Sequence, residues 1–252
     1  MNYSKRPALK AIDLGIRKVA STYGRAVYIV HSSKCNGSIT VESEGEQLAA
    51  QMLAIDPSVR AFKPQPFVVD LISGRLLRSE QALKEARNQY RIYEGAKFYT
   101  PDYEASMVMH GMHAIEVKVE GFTGDEEYEL KLSRASGILT SHGYTYKRMV
   151  LPRSRLHPIR VNIPLLFQAS TRHDALPSQD QCTTIVEWVG SKTVKLLDLA
   201  ANGLLQPSLA PVMVTSGILG TDVVGAPING QSLMHSAYGD LTHLEIVLGA
   251  CQ

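Results

Sequence analysis

Residues Phe98 to Val119 read FYTPDYEASMVMHGMHAIEVKV, and the way this stretch folds decides the architecture. Two β-prone runs, Phe98 to Met109 and Met112 to Val119, flank Gly111, which predicts paired strands joined by a tight turn. Asp125 to His142 then has helical spacing, with Leu130, Ile138 and Leu139 expected inward, and Tyr144 to Val150 returns to strand character. An antiparallel pair followed by a helical crossover into a parallel neighbour makes a mixed sheet flanked by helices, an α/β fold. Upstream, Ala26 to His31 and Ser38 to Glu42 are expected strands around an Asn36-Gly37 turn. Ser43 opens a helix with Leu48, Ala49, Met52, Leu53 and Ile55 on one stripe, and Asp56-Pro57 closes it. An extended run over Val59 to Ile72 and a charged, helix-prone insert over Arg78 to Tyr93 fill the interval before the hairpin.

The same hairpin carries the candidate chemistry. Pro101-Asp102 is followed after thirteen residues by Glu116-Val117-Lys118. On a strand, positions i and i+2 share a face, so Glu116 and Lys118 point together while Val117 packs behind them. With a three-residue loop Met109-His110-Gly111, Asp102 is expected opposite Lys118, about 5 Å away between Cβ atoms; a two-residue loop would turn Asp102 to the other face. Phosphodiester hydrolysis needs a divalent cation held by carboxylates, an activated water and positive charge near the developing oxyanion, and two acids with a lysine can supply these. An E-x-K triplet on a solvated strand is only an incidental ion pair. Here Ala114, Ile115 and Val117 predict a strand buried in the sheet, where a carboxylate and an ammonium need a purpose. A third carboxylate is expected at the start of the preceding helix: Glu46, with Glu42 and Glu44 as competitors. Ser43-x-x-Glu46 is also a capping box.

The chain has 252 residues and a formal net charge of +2, enough length for two ordinary domains. No apolar run approaches a membrane span and no export signal is evident, which predicts a cytoplasmic protein. Cys35, Cys182 and Cys251 stand too far apart for a zinc knuckle or a disulfide framework. The spacings of His110, His113, His142 and His157 fit no zinc site. Charge is segregated: residues 1 to 34 carry seven Lys/Arg against one acid, 35 to 129 hold sixteen acids against nine bases, 130 to 173 have eight bases and no acid, and from Asp174 onward seven acids face Lys192 and Lys195. Basic stretches flanking an acidic middle suit a nuclease whose carboxylates hold metal while its edges meet phosphates.

Motif order supplies a resemblance. Val41 to Glu46 (VESEGE), Asp56 to Val59 (DPSV), Gln65 to Phe67 (QPF), Tyr99 to Asp102 (YTPD) and Ile115 to Lys118 (IEVK) resemble, in content and order, the TnsA endonuclease subunits of heteromeric cut-and-paste transposases over residues 27 to 150. The resemblance implies a restriction-endonuclease-like PD-(D/E)xK fold with Glu46, Asp102, Glu116 and Lys118 as the catalytic set. Glu116 falls where some members carry glutamine. The same resemblance leads us to expect Asp102, Glu116, the Val117 carbonyl and Glu46 to hold Mg²⁺, with Mn²⁺ able to substitute. Gln65 is a candidate for the site's edge. Expected partners are the double-stranded DNA of transposon ends, a TnsB-type transposase and a TnsC-type ATPase. The proposed division is a basic segment over 1 to 25, a nuclease domain over 26 to 150, a basic connector over 151 to 177 with Arg153, Arg155 and Arg160 as phosphate contacts, and a C-terminal docking domain over 178 to 252. That last domain reads as two apolar helices, Val194 to Leu205 and Ser208 to Thr215, followed by a wing-like, turn-rich segment, so a small winged helix is expected. The alternatives are a stand-alone restriction or repair nuclease and a catalytically inactive DNA-binding adaptor.

Overall fold

A computed structural model describes residues 27 to 251; the basic segment over 1 to 25 lies outside the described residues. The chain enters with strands β1 (Tyr28–Ser32) and β2 (Gly37–Val41), paired antiparallel from Tyr28 opposite Val41 to Ser32 opposite Gly37. Asn36 makes their turn at φ 56°, a left-handed conformation that asparagine tolerates. Helix α1 (Glu44–Ile55) begins at Ser43, whose hydroxyl accepts from the Glu46 amide, and buries Leu48, Ala49, Met52, Leu53 and Ile55. Strands β3 (Val59–Pro64), β4 (Val68–Asp70) and β5 (Leu76–Leu77), helix α2 (Glu80–Gln89) and strand β6 (Phe98–Tyr99) lead into β7 (Tyr103–Met107) and β8 (Met112–Val119). Helix α3 (Glu126–Ser141) then crosses to β9 (Tyr144–Leu151).

The central sheet has the order β3-β7-β8-β9, with β8 and β9 parallel and the other pairs antiparallel. This is the mixed α/β sheet expected from the hairpin and its crossover. One face, bearing Tyr103, Ala105, Ile115, Val117, Met149 and Leu151, packs on α1; the other, bearing Ala114 and Tyr144, packs on α3. The inward stripe of α3 is Leu132, Ala135 and Leu139, while Leu130 is 54% exposed. The expectation for Leu130 is therefore corrected: at about 100° per residue, the nine positions from Leu130 to Leu139 put the two on opposite faces of the helix.

The proline-bearing stretch after β9 also differs from a plain connector. Helix α4 (Pro158–Ala169) occupies it, with Pro158 in the first turn, where a missing N–H costs nothing, and Pro164 inside. Its buried residues Ile159, Ile163 and Leu166 belong to the same continuous core as α1 and as Ala210, Met213 and Val214 further along the chain. Beyond it come α5 (Gln179–Val189), β10 (Val194–Lys195), α6 (Leu196–Ala201), α7 (Ala210–Thr215), β11 (Leu219–Gly220), β12 (Leu233–Ser236) and α8 (Val247–Ala250), with the strands ordered β10-β12-β11. Asn162, fully buried on α4, fixes the loop before β12: its amide donates to the Val223 and Ala226 carbonyls, and its oxygen accepts from Ile228 N. Among the described residues no helix is long and apolar enough to cross a membrane, and the three cysteines are free.

Candidate active site

The site lies where β7 ends. The last ladder pair is Tyr103 with Ile115; continued by one step, that register brings Asp102 beside Glu116, not Lys118. The turn is responsible. It spans Val108 to His110, closed by the Met107 amide on the Gly111 carbonyl at 2.8 Å, with Gly111 at φ 73°. The loop is centred one residue earlier than the sequence suggested, so the partner shifts by two. A shift of two preserves the face, and Asp102, Glu116 and Lys118 still share one side of the hairpin.

Pro101-Asp102 takes the chain out of the ladder, so Val117 N–H loses its strand partner and donates instead to Asp102 Oδ2 at 2.7 Å. Glu116 is 5% exposed and closely held: the Tyr99 hydroxyl donates to Oε2 at 2.7 Å, the Tyr128 hydroxyl to Oε1 at 2.8 Å, and Lys118 Nζ lies 2.7 Å from Oε1. The Lys118 ammonium also sits over the rings of Phe122 (4.9 Å) and Tyr128 (5.3 Å). Burial and the Glu116 carboxylate push Asp102 up to about 8, only partly offset by the Val117 amide. Burial works against the Lys118 charge, but its hydrogen bond and ion pair with Glu116 outweigh this and raise its pKa above the usual lysine range. Burial and the Glu116 carboxylate raise the Tyr99 phenol well above normal and Tyr128 to about 12, so both hydroxyls act as hydrogen-bond donors.

Glu46 does not join them directly. Its carboxylate accepts from Ser43 Oγ at 2.8 Å and from the Glu42 amide at 3.2 Å, a helix-capping arrangement. It is nonetheless close enough for its charge to act on Asp102, and the Tyr103 hydroxyl ties its carbonyl to β7 at 2.8 Å. Its competitor Glu44 turns the other way, towards Arg155 (3.3 Å) and Arg160 (3.4 Å). Arg153 lies exposed just after β9, its amide on Glu120 Oε2 at 3.4 Å. Gln65 meets the site through its backbone: its N–H donates to the Asp102 carbonyl at 2.9 Å, at a left-handed φ of 40°. Its side-chain Oε1 is buried without a partner.

The histidines serve the fold. His113 meets the His110 carbonyl, His142 meets that of Gly74, and His157 caps α4. Tyr99 and Tyr128 escaped the sequence reading. Tyr99 lies inside the quoted motif, and Tyr128 stands in the first turn of the crossover helix, a position that faces the strand the helix has just left.

Among the described residues no three His, Cys, Asp or Glu side chains form a group that would hold a metal ion. Asp102, Glu116 and the Val117 carbonyl still make an oxygen-only set of the kind Mg²⁺ accepts, since that ion commonly takes one or two carboxylates and completes its shell with water and substrate oxygens. The crowding that raises Asp102 is what a divalent cation would relieve. No protein-family model matches the chain, and no curated relative matches it.

Proposed function

We infer that this protein is a metal-dependent DNA endonuclease of the PD-(D/E)xK type that cuts the 5′ ends of a transposon together with a TnsB-type transposase. The observation that carries the reading is the crowding of Asp102 against Glu116, with Lys118 beside them, on one face of the β7–β8 hairpin. An incidental ion pair on a strand would not keep a second carboxylate in that surrounding at the cost of raising its pKa to about 8. Asp102, Glu116 and the Val117 carbonyl would hold Mg²⁺, which when bound neutralises phosphate charge and makes water more acidic. Asp102 gives one oxygen to Val117 N–H, which fixes its rotamer. Tyr99 and Tyr128 orient Glu116 through its two oxygens. Lys118, kept as an ammonium, supplies positive charge beside the scissile phosphate instead of removing a proton. Glu46, at the head of α1, completes the acidic rim by reorienting from its cap.

In the C-terminal region the order helix, strand, helix, helix, strand, strand from α5 to β12 supports a winged-helix reading. The formal charge of −5 from Asp174 onward favours docking to a protein, such as a TnsC-type ATPase, over reading DNA.

Nicking of a labelled transposon-end duplex in Mg²⁺, with and without the TnsB-type partner, tests the proposal. Partner-dependent cutting near the 5′ end, lost in Lys118→Ala, is the expected result. Cutting without the partner would favour a free-standing nuclease, and cutting that Lys118→Ala leaves intact would remove the site assignment. Glu46→Gln separates its two roles. The amide oxygen still accepts from Ser43 or Glu42, so thermal stability should stay within about 0.5 kcal/mol, while cleavage falls at least about tenfold. Unchanged cleavage would leave Glu46 as a helix cap alone.

A further inference from the structure

Beside the candidate site, α1 and α4 form the walls of a cleft of about 550 Å³. Glu44, Gln47, Leu48 and Gln51 line it from α1 at helical spacing, Arg160 and Pro164 line it from α4, and Arg155 and Tyr28 close it. The first turn of α1 links the cleft to the site: Glu44 lines the cleft, and the charge of Glu46, two residues on, acts on Asp102. Glu46 thus leans to the Asp102 side, and Glu44 leans into the cleft.

The charges in the cleft are two arginines and one carboxylate. Arg160 is nearly enclosed, its side chain 10% exposed and its Nε anchored on the Pro152 carbonyl, whereas Arg155 is 83% exposed. Glu44 reaches both, one oxygen to each guanidinium, at 3.4 and 3.3 Å. Those separations are longer than the 2.7–2.9 Å of a tight charge-assisted bond, and Glu44 itself is 49% exposed. A half-exposed carboxylate loosely spanning two guanidiniums, one of them fixed in place by the backbone, occupies the position an incoming anion would take.

We propose that Arg155 and Arg160 form a binding site for a backbone phosphate of DNA at the head of the α1–α4 cleft, and that Glu44 fills this site in the free protein as a resident anion which the phosphate displaces. This rests on the endonuclease reading for its ligand, and deepens it: the arginines become a built phosphate subsite reached from the same first turn of α1 that carries Glu46, and Glu44 becomes a brake on DNA binding. The coupling is distinctive. Removing any carboxylate near DNA relieves repulsion, whereas the gain from removing a competitor depends on the arginines it occupied.

The test is binding of a labelled duplex to the full chain without divalent metal, followed by anisotropy over a salt series. Glu44→Gln should tighten binding roughly three- to tenfold and steepen the salt dependence by about one phosphate contact. Arg155→Gln, at a position 83% exposed, should weaken binding, and the Glu44→Gln gain should vanish in the double variant. A gain that survives Arg155→Gln, or no gain at all, would overturn the proposal. A second arm keeps the proposal separable from the endonuclease reading: inorganic phosphate should raise the unfolding temperature of Glu44→Gln more than that of the wild type, and not that of Arg155→Gln. A phosphate response without duplex binding would sink the nuclease reading and keep the anion site; absence of both would sink the site.

Discussion

Asp102→Asn is expected to lose strand cleavage by roughly 10²–10³-fold and yet to unfold at a higher temperature than the wild type at pH 8. The two effects have one origin. Asp102 lies beside Glu116 and within range of Glu46, and burial with these charges lifts it to about 8 from an ordinary value of 3.8. The folded protein therefore binds this proton more tightly than the unfolded chain. Stability from the group is fully present below about pH 4, where both states are protonated, and is lost as pH rises towards about 8. Asparagine keeps an oxygen for Val117 N–H and carries no charge, so it escapes that loss. The difference between variant and wild type should be near zero at pH 4 and grow to a plateau above pH 8. Since Asp102 is only partly buried, a plateau on the order of 2 kcal/mol is expected, about 5 °C for a chain of this size. Mg²⁺ should raise the unfolding temperature of the wild type and not of Asp102→Asn. Thermal scans from pH 4 to 9 check this; a variant less stable than wild type at pH 8 would mean that Asp102 is a satisfied structural acid.

The sequence exposed the hairpin and its crossover because they are written in local code: alternating strands around Gly111, an Asp125 cap, and an apolar stripe between two strand runs. Face assignment followed from the two-residue period, and so Asp102, Glu116 and Lys118 fall on one side as read. The exact partner did not follow, since the local pattern fits a loop centred on Met109 or on His110 equally, and the bond from Val108 N–H to the Ser58 carbonyl at 2.8 Å is tertiary. Helix α4 was not legible for a related reason. Pro158 and Pro164 look like punctuation in a sequence window, but Pro158 occupies the one helical turn that tolerates it, and Ile159, Ile163 and Leu166 have a core to fill only once α1 and α7 are in place. The cap role of Glu46 is legible, because Ser43-x-x-Glu46 encodes it; its proposed part in the acidic rim comes only from the resemblance. The hydroxyls of Tyr99 and Tyr128 were hidden, as their convergence on Glu116 belongs to tertiary packing.

The largest loss of stability should come from a residue outside the candidate site. Asp56, read from sequence only as the end of α1, is fully buried. Its Oδ1 accepts from the Ser58 amide at 2.8 Å and the Ser58 hydroxyl at 2.5 Å, while Oδ2 accepts from the amides of Ile246 and Val247 at 2.8 and 2.7 Å. The second pair is the start of α8, so one carboxylate at the end of α1 holds the C-terminal end of the described chain. Asp56→Ala strands four donors, two of them at the start of α8, and should cost about 3–5 kcal/mol. Asparagine is a poor remedy, because its NH₂ must face one of the two donor pairs. The loss should be local before it is global. Cys251 pairs by a β-bridge with Met149, and burial pushes its thiol up to about 11, whereas Cys35 lies in the core beside β2. In Asp56→Ala, a thiol reagent under native conditions should label Cys251 at least about tenfold faster than in the wild type, an opening made easier by roughly 1.4 kcal/mol or more, while Cys35 stays slow. Equal acceleration at both cysteines would mean that Asp56 supports the whole core and not this seam in particular.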